Sequence, residues 1–148
     1  MEIKRIIVID KDIIEPLSDL VDYYIREAGE NDTEHKDALA VIDTLLRTNK
    51  GVLFGVFLNN VLKGYLAMEL CKMHEFKIVA IVHQMYLHDF VKGQNTFSKL
   101  VNIGIAWAKD NQAEKIYFST RRNSDAFKRL LGKNWTIDST VLGLNLSV

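Results

Sequence analysis

The chain of 148 residues is poor in the residues that break or cross-link a fold, with one proline, Pro16, and one cysteine, Cys71. A single cysteine excludes an internal disulfide and a zinc site built from several cysteines. No apolar run is long enough to span a bilayer, and the amino terminus lacks a signal-peptide pattern. No repeat or low-complexity segment marks a linker. The sequence therefore predicts one domain, residues 1–148, located in the cytoplasm and without a membrane partner.

The chain also lacks an excess of charge of either sign, because 19 basic residues balance 19 acidic ones. Without a basic excess, nucleic acid is not expected as the main partner. Three histidines, His35, His74 and His88, have no carboxylate or histidine at metal-ligand spacing, so no metal site is expected. Cys71 lies in a strand-like run, where a packing role is expected rather than a nucleophilic one.

The hydrophobic pattern of the first half indicates one strand, two helices and a three-stranded meander. Two asparagines, Asn59 and Asn60, separate two β-prone runs, and asparagine tolerates the positive φ of a tight hairpin turn. Residues 12–16, which end in Pro16, are expected to separate the first strand from the first helix. The predicted strands are 6–9, 52–58, 61–73 and 76–87, and the predicted helices are 17–28 and 33–47.

The last strand of this meander carries polar residues within an apolar run. Side chains alternate between the two faces of a strand. His83 is therefore predicted to share one face with Val79, Ile81, Met85 and Leu87. The opposite face is predicted to carry Ala80, Val82, Gln84 and Tyr86.

The second half alternates between helical and strand-like patterns. Helical spacing over 97–111 is followed by a short apolar strand over 116–120, and a crossover of this length suits a parallel partner for the preceding strand. A helix over 123–131, capped by Asn123 and closed by Gly132, and a strand over 135–146 complete the prediction. The fold class is therefore α/β, with a central mixed sheet of about six strands and four helices on both faces.

This order of elements resembles that of the GCN5-related N-acetyltransferase (GNAT) family. The hairpin over 55–67, with Gly64 after the turn, is similar to the family's second and third strands. Residues 123–126, Asn-Ser-Asp-Ala, resemble the family's Asn-x-x-Ala, and residues 132–135, Gly-Lys-Asn-Trp, resemble its Gly-Phe. The resemblance implies transfer of an acyl group from acetyl-CoA to a small amine or a protein amino group.

The family's pyrophosphate loop, Arg/Gln-x-x-Gly-x-Gly/Ala, falls on residues 92–97, Lys-Gly-Gln-Asn-Thr-Phe. Lys92 keeps a basic residue, whereas Asn95 and Phe97 replace small residues that let the backbone approach phosphates. Asn95 can adopt an unusual φ, and the Phe97 ring is expected to turn inward onto the core. The resemblance implies that the backbone of Met85, Tyr86 and Leu87 pairs with the pantetheine arm. It also implies that amides of Lys92, Gly93, Gln94, Asn95 and Thr96, with Ser98, face the pyrophosphate and that Asn123 lies near the pantetheine end.

His83 is the candidate general base, at a position where some relatives that acetylate arylalkylamines carry a histidine. Histidine side chains have an ordinary pKa of about 6.5, which suits that role. The alternative is a buried, hydrogen-bonded histidine on an apolar face. Tyr86 and Tyr117 are candidates for the acid, or are core residues. The tyrosine that many relatives use falls at Leu130 in this sequence. The glutamate that some relatives use falls near Ile81. Neither leucine nor isoleucine can transfer a proton.

A second functional hypothesis belongs to another class. The missing tyrosine and the Asn95 and Phe97 replacements favour a catalytically inactive GNAT-fold module with a binding or structural role, with or without retained binding of coenzyme A. The retained Lys92, Gly93 and Asn123 favour the enzyme. Several carboxylates over residues 19–34 suit a cationic acceptor or form a solvated helix surface. The long apolar final strand would allow pairing with a second copy in a homodimer.

Overall fold

The computed structural model describes residues 1–28, 35–73 and 77–118, together with residues 131, 132, 134, 135 and 144. These residues contain five strands, three α-helices and one 3-10 helix over Asp89–Gln94. The strands are β1 (Glu2–Arg5), β2 (Gly51–Leu58), β3 (Val61–Lys72), β4 (Ile78–Leu87) and β5 (Lys115–Phe118). The helices are α1 (Lys11–Ala28), α2 (His35–Arg47) and α3 (Thr96–Asp110).

The strands form one mixed sheet in the order β1-β2-β3-β4-β5. The first four strands pair antiparallel, and β5 pairs parallel to β4 after the crossover through α3. Residues of α1 and α2 pack with one face of the sheet, around Leu17, Ile42 and Tyr65. Residues of α3 pack with the other face, around Leu66 and Leu100. The predicted mixed sheet with helices on both faces is confirmed.

The predicted number of elements differs from the structure, which has five strands and three α-helices in its described residues rather than about six and four. The predicted helix 123–131 and strand 135–146 fall almost wholly outside those residues. The homodimer contact that was expected from the final strand also falls there.

The first strand lies at Glu2–Arg5 and not at residues 6–9, so that prediction is wrong. Residues 2–5 pair with 57–54 of β2, and the pairing continues only as far as the Ile6 amide, which donates to Leu53 O at 2.8 Å. Ile7 and Val8 are 73% and 68% exposed, so the apolar run that suggested a buried strand leaves the sheet.

The first helix begins at Lys11, earlier than predicted, because Asp10 caps it. Asp10 Oδ1 accepts hydrogen bonds from the amides of Asp12 and Ile13 at 3.0 and 3.2 Å. Such a side-chain acceptor stabilises the first turn of a helix. Pro16 therefore lies inside α1, where it removes one hydrogen bond without ending the helix.

The predicted hairpin is confirmed, because Asn59 and Asn60 both have positive φ, at 51° and 65°. Gly64 follows the turn and lies opposite Leu87 of β4. A Cβ at Gly64 would lie 2.7 Å from Leu87 Cδ2 and 3.0 Å from the carbonyl oxygen of Tyr86. Glycine at this position therefore permits the close approach of β3 to the end of β4.

The predicted alternation along β4 is wrong because a β-bulge interrupts it. Ala67 pairs with Gln84 and Met68 pairs with Val82, which leaves His83 as the extra residue. Ala80 and Val82 pack on the α3 side, but so do Met85 and Leu87, whereas Tyr86 packs on the α1 and α2 side. A bulge adds one residue to a strand and redirects the side chains around it.

No helix among residues 1–28, 35–73 and 77–118 combines the length and apolar character that a bilayer crossing requires.

Candidate active site

The second half of β4 lies at an edge of the described sheet. The pairing with β5 covers residues 79–82 of β4 and ends where Val82 meets Phe118. The described part of the chain places no second strand beside residues 83–87, which include Met85, Tyr86 and Leu87. An edge of this kind can accept an extended group through main-chain hydrogen bonds.

A 3-10 helix over Asp89–Gln94 joins β4 to α3, where a polar loop was predicted. His88 starts this helix, and its Nδ1 accepts a hydrogen bond from the Phe90 amide at 3.2 Å. Asn95 then takes φ 55° and ψ 27°, which confirms the predicted unusual φ. The Asn95 side chain makes no capping hydrogen bond to α3, so it does not occupy the donors of the first turn.

The two residues that replace the small residues of the family pattern have different surroundings. Asn95 is exposed, and its left-handed backbone makes the turn that a glycine would make. Phe97 is partly buried and packs on the α3-side core, as predicted. A Cβ at Gly93 would meet no atom within 4 Å, and Ser98 is exposed. Gly93 therefore has open space beside it.

Two other predicted junction residues have partners within the chain. The Thr96 hydroxyl donates to the carbonyl oxygen of Val91, and the whole residue is 0% exposed. Lys92 Nζ lies 3.0 Å from Asp89 Oδ1, with both side chains open to solvent. An anion bound at the junction would therefore compete with Asp89 for Lys92.

His83 forms the centre of a polar cluster on β3 and β4. His83 Nε2 lies 3.1 Å from Glu69 Oε1, and each side chain is 33% exposed. The Tyr24 hydroxyl of α1 donates to the carbonyl oxygen of His83 at 3.2 Å. His83 is therefore held through its ring and its backbone, while solvent still reaches the ring.

Cys71 contributes a second contact to the same carboxylate. Its Sγ lies 3.3 Å from Glu69 Oε1 and donates to it. Burial, followed by the hydrogen bond and negative charge of Glu69, raises the pKa of the Cys71 thiol, and Lys50 opposes this effect only in part. Cys71 therefore stays a neutral thiol at neutral pH, which makes it a poor nucleophile.

Gln84, the polar residue next to His83, connects β4 to its neighbours. Gln84 is buried, its Oε1 accepts from the Tyr65 hydroxyl at 2.9 Å, and its Nε2 donates to Ala38 O at 3.1 Å. These bonds join β4 to β3 and to α2. The Tyr86 ring stacks on that of Tyr23, with centroids 5.9 Å apart and planes 13° apart. Tyr86 is thus mainly a packing residue on this face.

Other predicted residues lie elsewhere. Ile81 pairs with Tyr117 of β5, in the part of β4 that precedes the bulge at His83. Asn123 and Leu130 lie outside the described residues. Within residues 1–28, 35–73 and 77–118, no three histidine, cysteine, aspartate or glutamate side chains are arranged to hold a metal ion.

A shallow pocket lies between β1 and the start of α1, away from this cluster. It is lined by charged and apolar residues that include Arg5, Asp10 and Phe57, and by none of the candidate residues. We place the candidate site at β4 and the junction instead, because hydrogen-bonding groups and a titratable side chain converge there.

Comparison with known proteins gives no match to any family model and no match to a curated protein sequence. Solved structures, however, match almost the entire chain. The aminoglycoside 6′-N-acetyltransferase of Acinetobacter haemolyticus is 14% identical, with a TM-score of 0.75 over 99% of this chain and 100% of that chain.

Two further solved structures resemble the chain to the same degree. An aminoglycoside N-acetyltransferase in complex with CoA is 12% identical, with a TM-score of 0.76 over 99% of this chain and 95% of that one. A GNAT family acetyltransferase of Staphylococcus aureus is 12% identical, with a TM-score of 0.73 over 98% of each chain. The chain thus has the fold of the GCN5-related N-acetyltransferase superfamily.

Proposed function

We propose that this protein is an acyl-CoA-dependent N-acyltransferase that transfers an acetyl group from acetyl-CoA to a small amine or a protein amino group. One observation carries the proposal: β4 holds His83 at a bulge and then leads through the 3-10 helix into the Asn95 turn and the amino terminus of α3. A base and an anion-binding junction therefore lie on one continuous segment. The likeness to N-acetyltransferases, including one in complex with CoA, supports the same activity.

The acyl donor would bind along this segment. Backbone groups of Met85, Tyr86 and Leu87 would hold the pantetheine arm as an added strand. Amides of residues 92–96, with Ser98, would face the pyrophosphate, because the amino terminus of a helix carries partial positive charge and exposed N–H donors. Asn123, which lies outside the described residues, remains our proposed contact near the pantetheine end.

The chemistry at the acceptor would depend on His83. The bound thioester supplies an activated acyl group. An amine attacks it only as the neutral base, and the nitrogen loses a proton as the amide forms. His83 would accept that proton, since its ring is exposed enough to meet a substrate and is held by Glu69 and Tyr24. Small amines are favoured as acceptors because a structural neighbour is in complex with the aminoglycoside sisomicin.

Two measurements on the full chain test this function. Saturating acetyl-CoA should stabilise the protein, by about 2.7 kcal/mol when the ligand is present at 100 times its dissociation constant. Thiol release should then follow when sisomicin, a polyamine, an arylalkylamine or a lysine peptide is added. Stabilisation without thiol release from any amine would contradict catalysis and leave a coenzyme A-binding module. No stabilisation at millimolar acetyl-CoA would contradict both.

A further inference from the structure

We infer that Glu69 is a positioning residue for His83: it holds the hydrogen on Nε2 and so leaves Nδ1 as the nitrogen that accepts the proton of the acceptor amine. The inference rests on the proposed function, in which His83 is the base. It adds a residue on a different strand and assigns the two nitrogens of the ring to different tasks.

The first argument is geometric. The Glu69–Ile81 and Met68–Val82 pairs set the register of β3 and β4 up to the bulge, and His83 is the extra residue that follows them. In this position the His83 ring lies within 3.1 Å of Glu69 Oε1. The Tyr24 hydroxyl donates to the carbonyl oxygen of the same residue. Bulges of this kind are common beside active sites.

The second argument concerns the hydrogen between the two side chains. An ionised carboxylate has acceptors only, so the nitrogen that contacts it must carry the hydrogen. In neutral His83, that hydrogen is therefore on Nε2, and the lone pair is on Nδ1. A carboxylate that accepts a hydrogen bond from one ring nitrogen keeps the hydrogen there, so the other nitrogen is the one that can accept a proton.

The negative charge of Glu69 also suits the positive charge that His83 gains during the reaction. As the amine nitrogen forms its bond to the acyl carbon, the carbon–sulfur bond breaks and its electron pair leaves with sulfur. The proton lost by nitrogen moves to Nδ1, and the sulfur anion is protonated by solvent. His83 becomes an imidazolium, which the Glu69 carboxylate stabilises across 3.1 Å through a charge-assisted hydrogen bond.

Cys71 keeps Glu69 in this position. Its neutral thiol donates to Oε1, the same oxygen that faces His83, and so favours the side-chain conformation in which this oxygen points at the ring. The thiol does not compete for the proton of the acceptor.

The tautomer can be measured without any substrate. Nitrogen-15 NMR of the histidine rings in the full chain, recorded with the rings in their neutral form, should show the hydrogen on Nε2 of His83. His83→Gln assigns the signal. A hydrogen on Nδ1 would overturn the inference.

Kinetics of matched variants test the catalytic part. Glu69→Gln keeps an acceptor of the same shape but loses the charge, and Glu69→Ala loses both. We expect kcat to fall about 10-fold in the first and up to about 100-fold in the second, with an unchanged KM for acetyl-CoA. Glu15→Gln, an exposed glutamate of α1, is the control and should retain full activity. The melting temperatures of all three show that they fold.

The failure of this inference differs from the failure of the proposed function. If wild-type protein turns over amines but both Glu69 variants keep kcat within twofold, Glu69 does not position the base. If acetyl-CoA neither stabilises the wild type nor reacts, the proposed function fails, and the inferred catalytic role fails with it.

Discussion

The two halves of β4 share one backbone but differ in their surroundings. Residues 79–82 lie between β3 and β5, and Val79, Ala80 and Val82 are buried apolar residues. Residues 83–87 begin with a bulge, carry a half-buried histidine and a buried glutamine, and run past the end of the β5 pairing. The chain then enters the 3-10 helix and the Asn95 turn.

The difference shows how one strand can serve as scaffold and as site. In the first half, pairing on both edges and apolar burial fix the strand. In the second half, the described residues place no strand beside residues 83–87 other than β3, and the His83 side chain at the bulge is 33% exposed. Substitutions in the two halves should therefore change different quantities, and the following variants test this from the largest expected effect to the smallest.

The largest effect is expected for His83→Ala in the second half. Loss of a general base typically slows a reaction by about 10²- to 10⁴-fold, so kcat should fall by this factor. The affinity for acetyl-CoA, measured by calorimetry, should stay within twofold of wild type. His35→Ala is the matched control, because His35 is also part-buried and contacts Ser18 at 2.9 Å, between α2 and α1. Equal activity in the two variants would refute the assignment of the base.

Val82→Ala, next to His83 but in the first half of β4, should lower stability and leave kcat unchanged. Val82 is 2% exposed in the α3-side core, and Val82→Ala removes two methyl groups. The free energy of unfolding should fall by about 2 kcal/mol, which denaturant titration measures. The kcat of the folded enzyme should not change. A large loss of kcat with little loss of stability would contradict the division of β4 into two halves.

Asn95→Gly tests the turn that joins β4 to α3. Glycine adopts φ near 55° without strain, and the loss of the Asn95 side chain would let the backbone approach the phosphates more closely. Affinity for acetyl-CoA should therefore rise about 2- to 10-fold in a calorimetric titration. Asn60→Gly changes another left-handed asparagine, at φ 65° in the hairpin, and should leave affinity unchanged. Weaker binding by Asn95→Gly would mean that the Asn95 side chain itself contacts the ligand.

The smallest effect is expected for Asp89→Asn. This change removes the carboxylate that pairs with Lys92 at 3.0 Å and should strengthen acetyl-CoA binding about 2- to 5-fold at low salt. The gain should shrink as salt is added, since both side chains are exposed. Asp43→Asn, which breaks the exposed pair with Arg47 in α2, is the control. A gain of the same size in both variants would indicate a general charge effect.

Local patterns predicted most of the fold. The hairpin at Asn59 and Asn60, the crossover helix and the inward Phe97 ring each depend on residues close together in sequence, and each is confirmed. The position of β1 was predicted wrongly, because an apolar run can leave the sheet once its pairing with β2 has ended at Ile6.

The polar cluster could not be predicted in the same way. Glu69 and His83 are 14 residues apart on neighbouring strands, and the register of β3 against β4 brings them together. No local pattern indicates that register or the bulge that follows it, because β-prone residues continue on both sides of His83. The pairing of Asp89 with Lys92 has helical spacing, but the sequence was expected to form a loop there.

Amide hydrogen exchange of the full chain, with and without saturating acetyl-CoA, tests the central claim most directly. We expect slower exchange in a peptide that contains residues 83–99 and no change in a peptide from the first half of β4 or from the Asn59 and Asn60 hairpin. Protection confined to other segments, or no protection at millimolar acetyl-CoA, would contradict the placement of an acyl-CoA site at the end of β4.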